Sequence, residues 1–333
     1  MLIRIVSEYP AIAGLGAMLL LMLPTLVAVF LSSSQGSGLA MMLALPFQAI
    51  TPLPIFLVSL KRGLKGGLIA TAILTGGTLL LTQDFQFSLL VFLLLAAFPL
   101  LASVMLIKGW NFSHGAGSGF FLGLLLLPIL LTVSIHAPLE IEKTLTSSLT
   151  TVQDRFVSMA QSQGADAKTI LEHQQVLKEF FHLLAFLSPA LMVTGWFMLQ
   201  LANLALTRFL FSKMPGYTLP RENFANFRVP FFMVWPVIVF ALIMMTTEGQ
   251  WQRFSANMSL FLGIPYFFQG WAVIQSYFLH LKVPAFWRNL FYFFIFWSSK
   301  MALVVVVFGF FDTWVNFRSR IKKTGEGQDP SGR

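Results

Sequence analysis

Between Glu8 and Lys61 the chain runs for 52 residues without a single Asp, Glu, Lys or Arg. Charge-free stretches recur at 66–83, 85–107, 109–139, 180–207, 229–247 and 254–281. An apolar helix of about 20 residues matches the hydrocarbon thickness of a bilayer, and no water-soluble fold needs so many in series. The pattern predicts an all-α, polytopic transmembrane bundle. A mean hydropathy of +0.77 and a charged fraction of 11% lie far from globular usage and point the same way. The 36 phenylalanines suit lipid-facing and helix-packing surfaces, or an aromatic-lined cavity.

Candidate spans are 11–31, 39–60, 65–82, 86–107, 117–136, 180–206, 229–247, 257–280 and 289–312. Basic residues favour the cytoplasmic side. With Arg4 inside, the neutral loop 32–38 falls outside, Lys61, Arg62 and Lys65 inside, and Asp84 outside. The acidic 137–178 segment then falls outside, and Arg208, Lys213, Arg221 and Arg228 inside. Beyond that point the rule conflicts with itself. If 257–280 crosses, the tail bases Arg318, Arg320, Lys322 and Lys323 lie outside; if it does not, Lys282 and Arg288 do. A break at Gly263-Ile264-Pro265 would make 257–280 re-entrant and leave eight spans with both termini cytoplasmic. The N-terminal run is too long for a cleavable signal, so it is expected to stay as the first span.

Leu145, Leu149, Val152, Phe156 and Met159 recur at 4-3-4-3 spacing, which places them on one helical stripe. After Gly164, Asp166 is placed to start a second helix that runs into the next span. The expected organisation is a five-span half (1–136), an extracytoplasmic helical hairpin (137–178), C-terminal spans (179–317) and a basic, disordered tail (318–333). The hairpin serves as a lid on the bundle or as a docking surface.

Lys300, flanked by Ser298 and Ser299, lies near the centre of 289–312 with no intramembrane acid to pair with it. An intramembrane charge marks a functional site by default, though a long side chain can also snorkel. Pro46, Pro52 and Pro54 interrupt the second span around Gln48 and Thr51, and broken helices are where transporters hold substrate. Asn257, Gln269 and Gln275 are amides that either join helices or bind solute. Lys300, Gln48, Thr51, Gln269 and Asn257 are therefore the candidate binding residues. Gly63 and Gly67, and the ladder Gly115, Gly119, Gly123, allow close helix approach.

Several chemistries are excluded. With no cysteine, disulfides, thiol catalysis and iron–sulfur clusters are ruled out. No GxxxxGK[ST] loop is present for nucleotide hydrolysis, and no HExxH, GxSxG or paired intramembrane carboxylates appear. The five histidines show no metal-ligand spacing. No catalytic, metal or cofactor role is expected. The net charge of +9 resides in clusters beside apolar runs, where retention on one side of a membrane explains it without nucleic acid.

Three segments carry a family resemblance: Phe227-Arg228-Val229-Pro230, Tyr266-Phe267-Phe268-Gln269-Gly270, and Gly309-Phe310-Phe311-Asp312-Thr313-Trp314-Val315-Asn316-Phe317-Arg318. Together they resemble the YybS-like family of bacterial integral membrane proteins. Pro52-Leu53-Pro54 followed by Gly63 and Gly67 is similar in style to the S components of energy-coupling-factor transporters and to MreD. The resemblance implies a multi-pass protein of a bacterial inner membrane and lends no catalytic residues. Asp312 and Arg318 match the closing motif and read as a structural anchor. The expected function is transporter-like: a small solute bound in the bundle, with energy supplied by another protein. The alternative is a non-transporting scaffold or assembly factor of the cell envelope. Expected partners are the lipid bilayer, a small solute and other membrane proteins.

Overall fold

The computed structural model describes residues 2–30, 46–136, 140–162, 166–214 and 223–319. The loop at 32–38, the start of the second span (39–45), Gly164, Arg221 and the tail beyond Ser319 lie outside the described residues. Within them the chain is helical, without a strand: α1 (Leu2–Glu8), α2 (Pro10–Phe30), α3 (Pro52–Thr82), α4 (Phe85–Val91), α5 (Ala97–Ile107), α6 (Phe112–His136), α7 (Glu140–Ser162), α8 (Ala167–Ser212), α9 (Val234–Thr246), α10 (Gly249–His280), α11 (Ala285–Trp297) and α12 (Ser299–Val315). A π-helical turn, Phe92–Ala96, joins α4 to α5.

Four helical stretches are long and apolar enough to cross a membrane: Pro46–Thr82, Phe85–Ile107, Ser113–Ser134 and Lys168–Ser212. The bent pair Ala285–Ile295 and Lys300–Val315 makes a fifth if it counts as one, and Pro10–Leu23 and Phe231–Thr246 are shorter apolar helices. The chain is thus a membrane protein of helical spans.

It divides into two compact units. The first holds Met1–Gly123 and Gly195–Glu222, the second Leu124–Thr194 and Asn223–Arg333. In the first unit, Gly63 adopts φ 75°, ψ −173° and splits α3 into two arms. The positive φ is open to Gly at no steric cost. The break follows Lys61 and Arg62, which hold the end of α1: Lys61 Nζ pairs with the Glu8 carboxylate at 3.1 Å and Arg62 Nε donates to the Glu8 carbonyl at 2.9 Å. Ala17 and Leu21 of α2 pack with Ile55 and Leu74 of α3 and Val91 of α4. A second cluster gathers Phe56, Phe98, Ala102, Leu204 and Phe211, with Phe56 and Phe98 edge to face at 5.5 Å. Glycines let these helices close. A methyl on Gly67 would meet Ser59 and Leu100, and one on Gly119 would meet the Phe98 ring. For Gly119, the close approach expected of the ladder is to a helix of the same unit.

In the second unit, α7 lies against the first part of α8, with the Phe156 ring stacked on His173 at 5.4 Å. Gln153 also reaches the Gln174 carbonyl. Two structural differences from the sequence reading stand out. Gly263-Ile264-Pro265 does not interrupt α10, which runs unbroken for 32 residues. The break comes later, at Ser298, where the chain turns by 103° between α11 and α12. The reason is local: Ser298 is extended (φ −112°, ψ 112°) and its hydroxyl accepts from Met301 N, so it caps a new helix. Pro265 has no such stop signal beside it, and α12 packed along α10 holds its two sides in line.

The α10–α12 crossing rests on backbone contact at Gly270 and Gly309. A methyl on Gly270 would run into the Val305 carbonyl, and one on Gly309 into the Tyr266 carbonyl. Gly270→Val or Gly309→Val should lower the thermal midpoint of the purified protein by several degrees, since overpacking costs about 1–3 kcal/mol. Gly76→Ala, which meets nothing within 4 Å, is the control. A second expectation concerns Glu8. Hydrogen bonds from Lys61 and then Arg4 hold its carboxyl below the usual range. Its contribution is complete above the ordinary carboxylate pKa and fades as pH falls through the lowered value. Protection of α1 against proteolysis should therefore decline in that acid window, and in Glu8→Gln it should be weak at every pH.

Candidate functional site

Trp196, Gln200, Asn203 and Thr207 recur along α8 at 4-3-4 spacing and so share one stripe of the first unit. This stripe meets two irregularities in neighbouring segments. The first is the π turn. There Ala97 N reaches back five residues to the Phe92 carbonyl, and the altered ladder leaves an accepting carbonyl on its side. Leu94 O takes two donors from α8, Trp196 Nε1 at 2.6 Å and Gln200 Nε2 at 2.5 Å.

The second is the break before α3. Pro52 and Pro54 lack N–H groups, and the chain tightens into three-residue bonds: Ile50 N to Phe47 O, Thr51 N to Gln48 O, and Leu53 N to Ile50 O. Leu53 N would serve Ala49 O in a regular helix. With that donor diverted, Ala49 O accepts from Asn203 Nδ2 at 2.9 Å.

Both amides keep an oxygen in reserve. Gln200 Oε1, Asn203 Oδ1 and Thr51 Oγ1 are buried and lack a hydrogen-bond partner among the described residues. Gln200 and Thr51 are 0% exposed and Asn203 3%. Such atoms are costly in an apolar interior unless something binds them. Gln48, half-buried, stands three residues before Thr51. Among the described residues, the buried polar side chains of this unit are all neutral. The arrangement can accept hydrogen bonds from an uncharged ligand, with the Trp196 indole beside it.

Of the expected residues, Thr51 and Gln48 with Pro52 and Pro54 belong to the broken segment that this strip meets at Ala49. Gln200 and Asn203 were missed; their signal was the amides at i and i+3 inside a charge-free run, one turn beyond a tryptophan.

Asn257 and Gln269 belong to the second unit and have different surroundings. Asn257 accepts from Ala190 N at 2.9 Å and donates to Phe186 O at 2.9 Å and to Arg253 O. Ala190 N and Phe186 O would pair in a regular helix, and Pro189 lies between them; one amide serves both. Arg253 also donates to Phe186 O and pairs with Glu142, which accepts in turn from Ser188.

Gln269 organises the far end of α10. Its oxygen accepts from Val229 N at 2.6 Å, and its nitrogen lies 3.0 Å from Gly309 O and 3.4 Å from Asp312 Oδ2. Asp312 pairs with Arg318 at 2.8 Å, the two side chains 2% and 8% exposed. Arg318 also donates to the Ala225 and Phe227 carbonyls, both at 2.8 Å. The three segments that carry the family resemblance thus meet in one hydrogen-bonded latch. Lys300 stands apart from both clusters, exposed in the first turn of α12 just after the 103° bend, rather than midway along a straight span.

A family model described as a predicted membrane protein, DUF2232, matches residues 27–313. The chain belongs to this family. No curated protein and no solved structure matches it. The match takes in the α8 strip and most of the latch, and it agrees with a membrane-protein family as the sequence led us to expect.

The latch makes a direct stability prediction. Removing one partner of a buried ion pair leaves an uncompensated charge and costs about 3–5 kcal/mol. Arg318→Met should therefore destabilise the protein strongly, and Arg318→Met with Asp312→Leu less than the sum of the two single changes. Thermal unfolding of the four proteins completes the cycle.

Proposed function

We propose that this DUF2232 protein is a transporter-like, multi-pass membrane protein that binds a small solute and has no ATPase or catalytic step of its own. Its energy comes from a partner. The observation that carries the reading is the set of three buried, unpaired oxygens, Thr51 Oγ1, Gln200 Oε1 and Asn203 Oδ1, beside a proline-broken helix and a π turn. Breaks of this kind supply binding groups at membrane depth. The set is neutral and rich in acceptors, so the solute is uncharged and presents N–H or O–H donors. Gln48, half-buried, lies three residues before Thr51. The resemblance to YybS-like proteins and S components is consistent with this reading, as is a setting in a bacterial inner membrane with eight spans and cytoplasmic termini. The α7–α8 hairpin is then the extracytoplasmic piece.

The test is a thermal-shift screen of the reconstituted protein against neutral polar metabolites, followed by titration of the hits. Gln200→Leu, Asn203→Leu and Thr51→Val should each weaken binding about tenfold, the worth of one hydrogen bond of about 1.4 kcal/mol. Weakening by Lys300→Ala with the strip variants unaffected would move the site to α12. A screen without hits, together with a stoichiometric partner recovered by crosslinking, would favour the scaffold reading.

A further inference from the structure

We infer that α11 and α12 form a re-entrant hairpin, which enters the membrane and leaves it on the same face, with Ser298, Ser299 and Lys300 at its tip. The decisive contact is a shared acceptor. Ser276 Oγ, near the end of α10, lies 3.2 Å from the Ala225 carbonyl, and Arg318 Nη1, just past α12, lies 2.8 Å from the same oxygen. The chain between them leaves this carbonyl and comes back to it. A segment that crossed once would end about 30 Å away, on the other side of the hydrocarbon. Thirteen residues of α11 and seventeen of α12 give arms of about 20 and 25 Å, long enough to reach well into a bilayer and return. The 103° turn at Ser298 is past a right angle and so carries α12 back, the two arms forming a V.

Packing ties the outgoing arm to the same end of α10. Phe291 lies edge to face on Phe278 at 5.3 Å, and Tyr292 lies 5.2 Å from Trp271. The outer side of this arm is aromatic and uncovered: Phe286, Trp287, Phe293 and Trp297 are all more than half exposed. In a membrane protein that is a lipid-facing surface.

The charges then fall into order. Arg228, bonded to Asn316 beside the latch, Lys282 just after α10 and Arg318 share one end of the unit, and Arg288 lies in the first turn of α11. Arg320, Lys322 and Lys323 follow in sequence. Glu142 marks the other end with Arg253, which is 23 residues before Ser276 on α10, or about 34 Å along a helix. On its length, then, α10 crosses, although it is not among the four long apolar stretches, and the basic residues after it lie on one face, which the positive-inside rule makes cytoplasmic. A crossing α10 and a cytoplasmic tail are incompatible only where 289–312 is itself a span. Non-helical backbone at the Ser298 tip is tolerated where it lines water, and Lys300 beside it gives the tip a charge suited to such a setting.

The chain has no cysteine, so single-cysteine variants of the full-length protein report without background. Membrane vesicles of each orientation are treated with a membrane-impermeant maleimide. Ala285→Cys and Ser319→Cys should label from the same face, and Glu248→Cys from the opposite one. Lys300→Cys should react with a small charged methanethiosulfonate from the Ser319 face. Val283→Cys duplicates the first position in case Ala285→Cys does not fold. Labelling at 285 and 319 from opposite faces would overturn the hairpin. So would reaction at 300 only from the Glu248 face, or no reaction there at all. None of these outcomes depends on whether the α8 strip binds a solute.

Discussion

At the π turn, before Pro52, around Pro189 and beside Pro230, a side chain from another segment takes up a backbone group. In a bilayer no water can do so, and each unpaired N–H or C=O costs several kcal/mol. Gln200 and Trp196 serve Leu94 O at the π turn, and Asn203 serves Ala49 O before Pro52. Asn257 serves Ala190 N and Phe186 O around Pro189. Gln269 serves Val229 N beside Pro230, and Arg318 serves Ala225 and Phe227. The irregular points and the polar residues of the spans are thus two halves of one pattern. Pro52 and Pro189 are each kept with one of these amides beside them.

That pairing explains which parts of the structure were legible beforehand. Apolar runs and their charged edges led directly to helices and to a membrane setting, since both follow from local composition. The prolines of 46–54 pointed to a break, and Thr51 and Gln48 are found at it. Its partner could not be read, because Asn203 is some 150 residues downstream and nothing local ties it to Ala49. Asn257 and Gln269 were conspicuous as amides in apolar surroundings, yet only tertiary contact shows that their polar atoms are engaged by neighbouring helices. Ser298 was the harder case. A serine pair inside an apolar run looks like a polar interruption of one span, and its extended backbone with a capped helix after it is a conformational choice that hydropathy does not register.

The two units solve the polar problem with different chemistry. In the second, the hubs are charged: Arg253 with Glu142 at one end of α10, and Arg318 with Asp312 at the other. Buried ion pairs are poor sources of net stability, but they fix geometry, because breaking one strands a charge. The glycine contact at Gly270 and Gly309 has the same character, permitting one approach of α10 and α12 and no looser one. Segments held this way are suited to fixing topology.

The first unit is built with neutral groups, and some of their capacity is left over. A neutral amide whose nitrogen is anchored to a backbone carbonyl presents its oxygen in a fixed direction without any charge to neutralise. The desolvation cost of leaving that oxygen unpaired is a kcal/mol or more, which is small beside that of a bare buried ion. A membrane protein can tolerate two or three such atoms in its resting state and recover the cost when a ligand arrives. It could not tolerate a buried, unpaired carboxylate on the same terms. The absence of charge in the α8 strip is therefore what allows it to be preorganised, and under the proposed reading the same property favours an uncharged donor of hydrogen bonds.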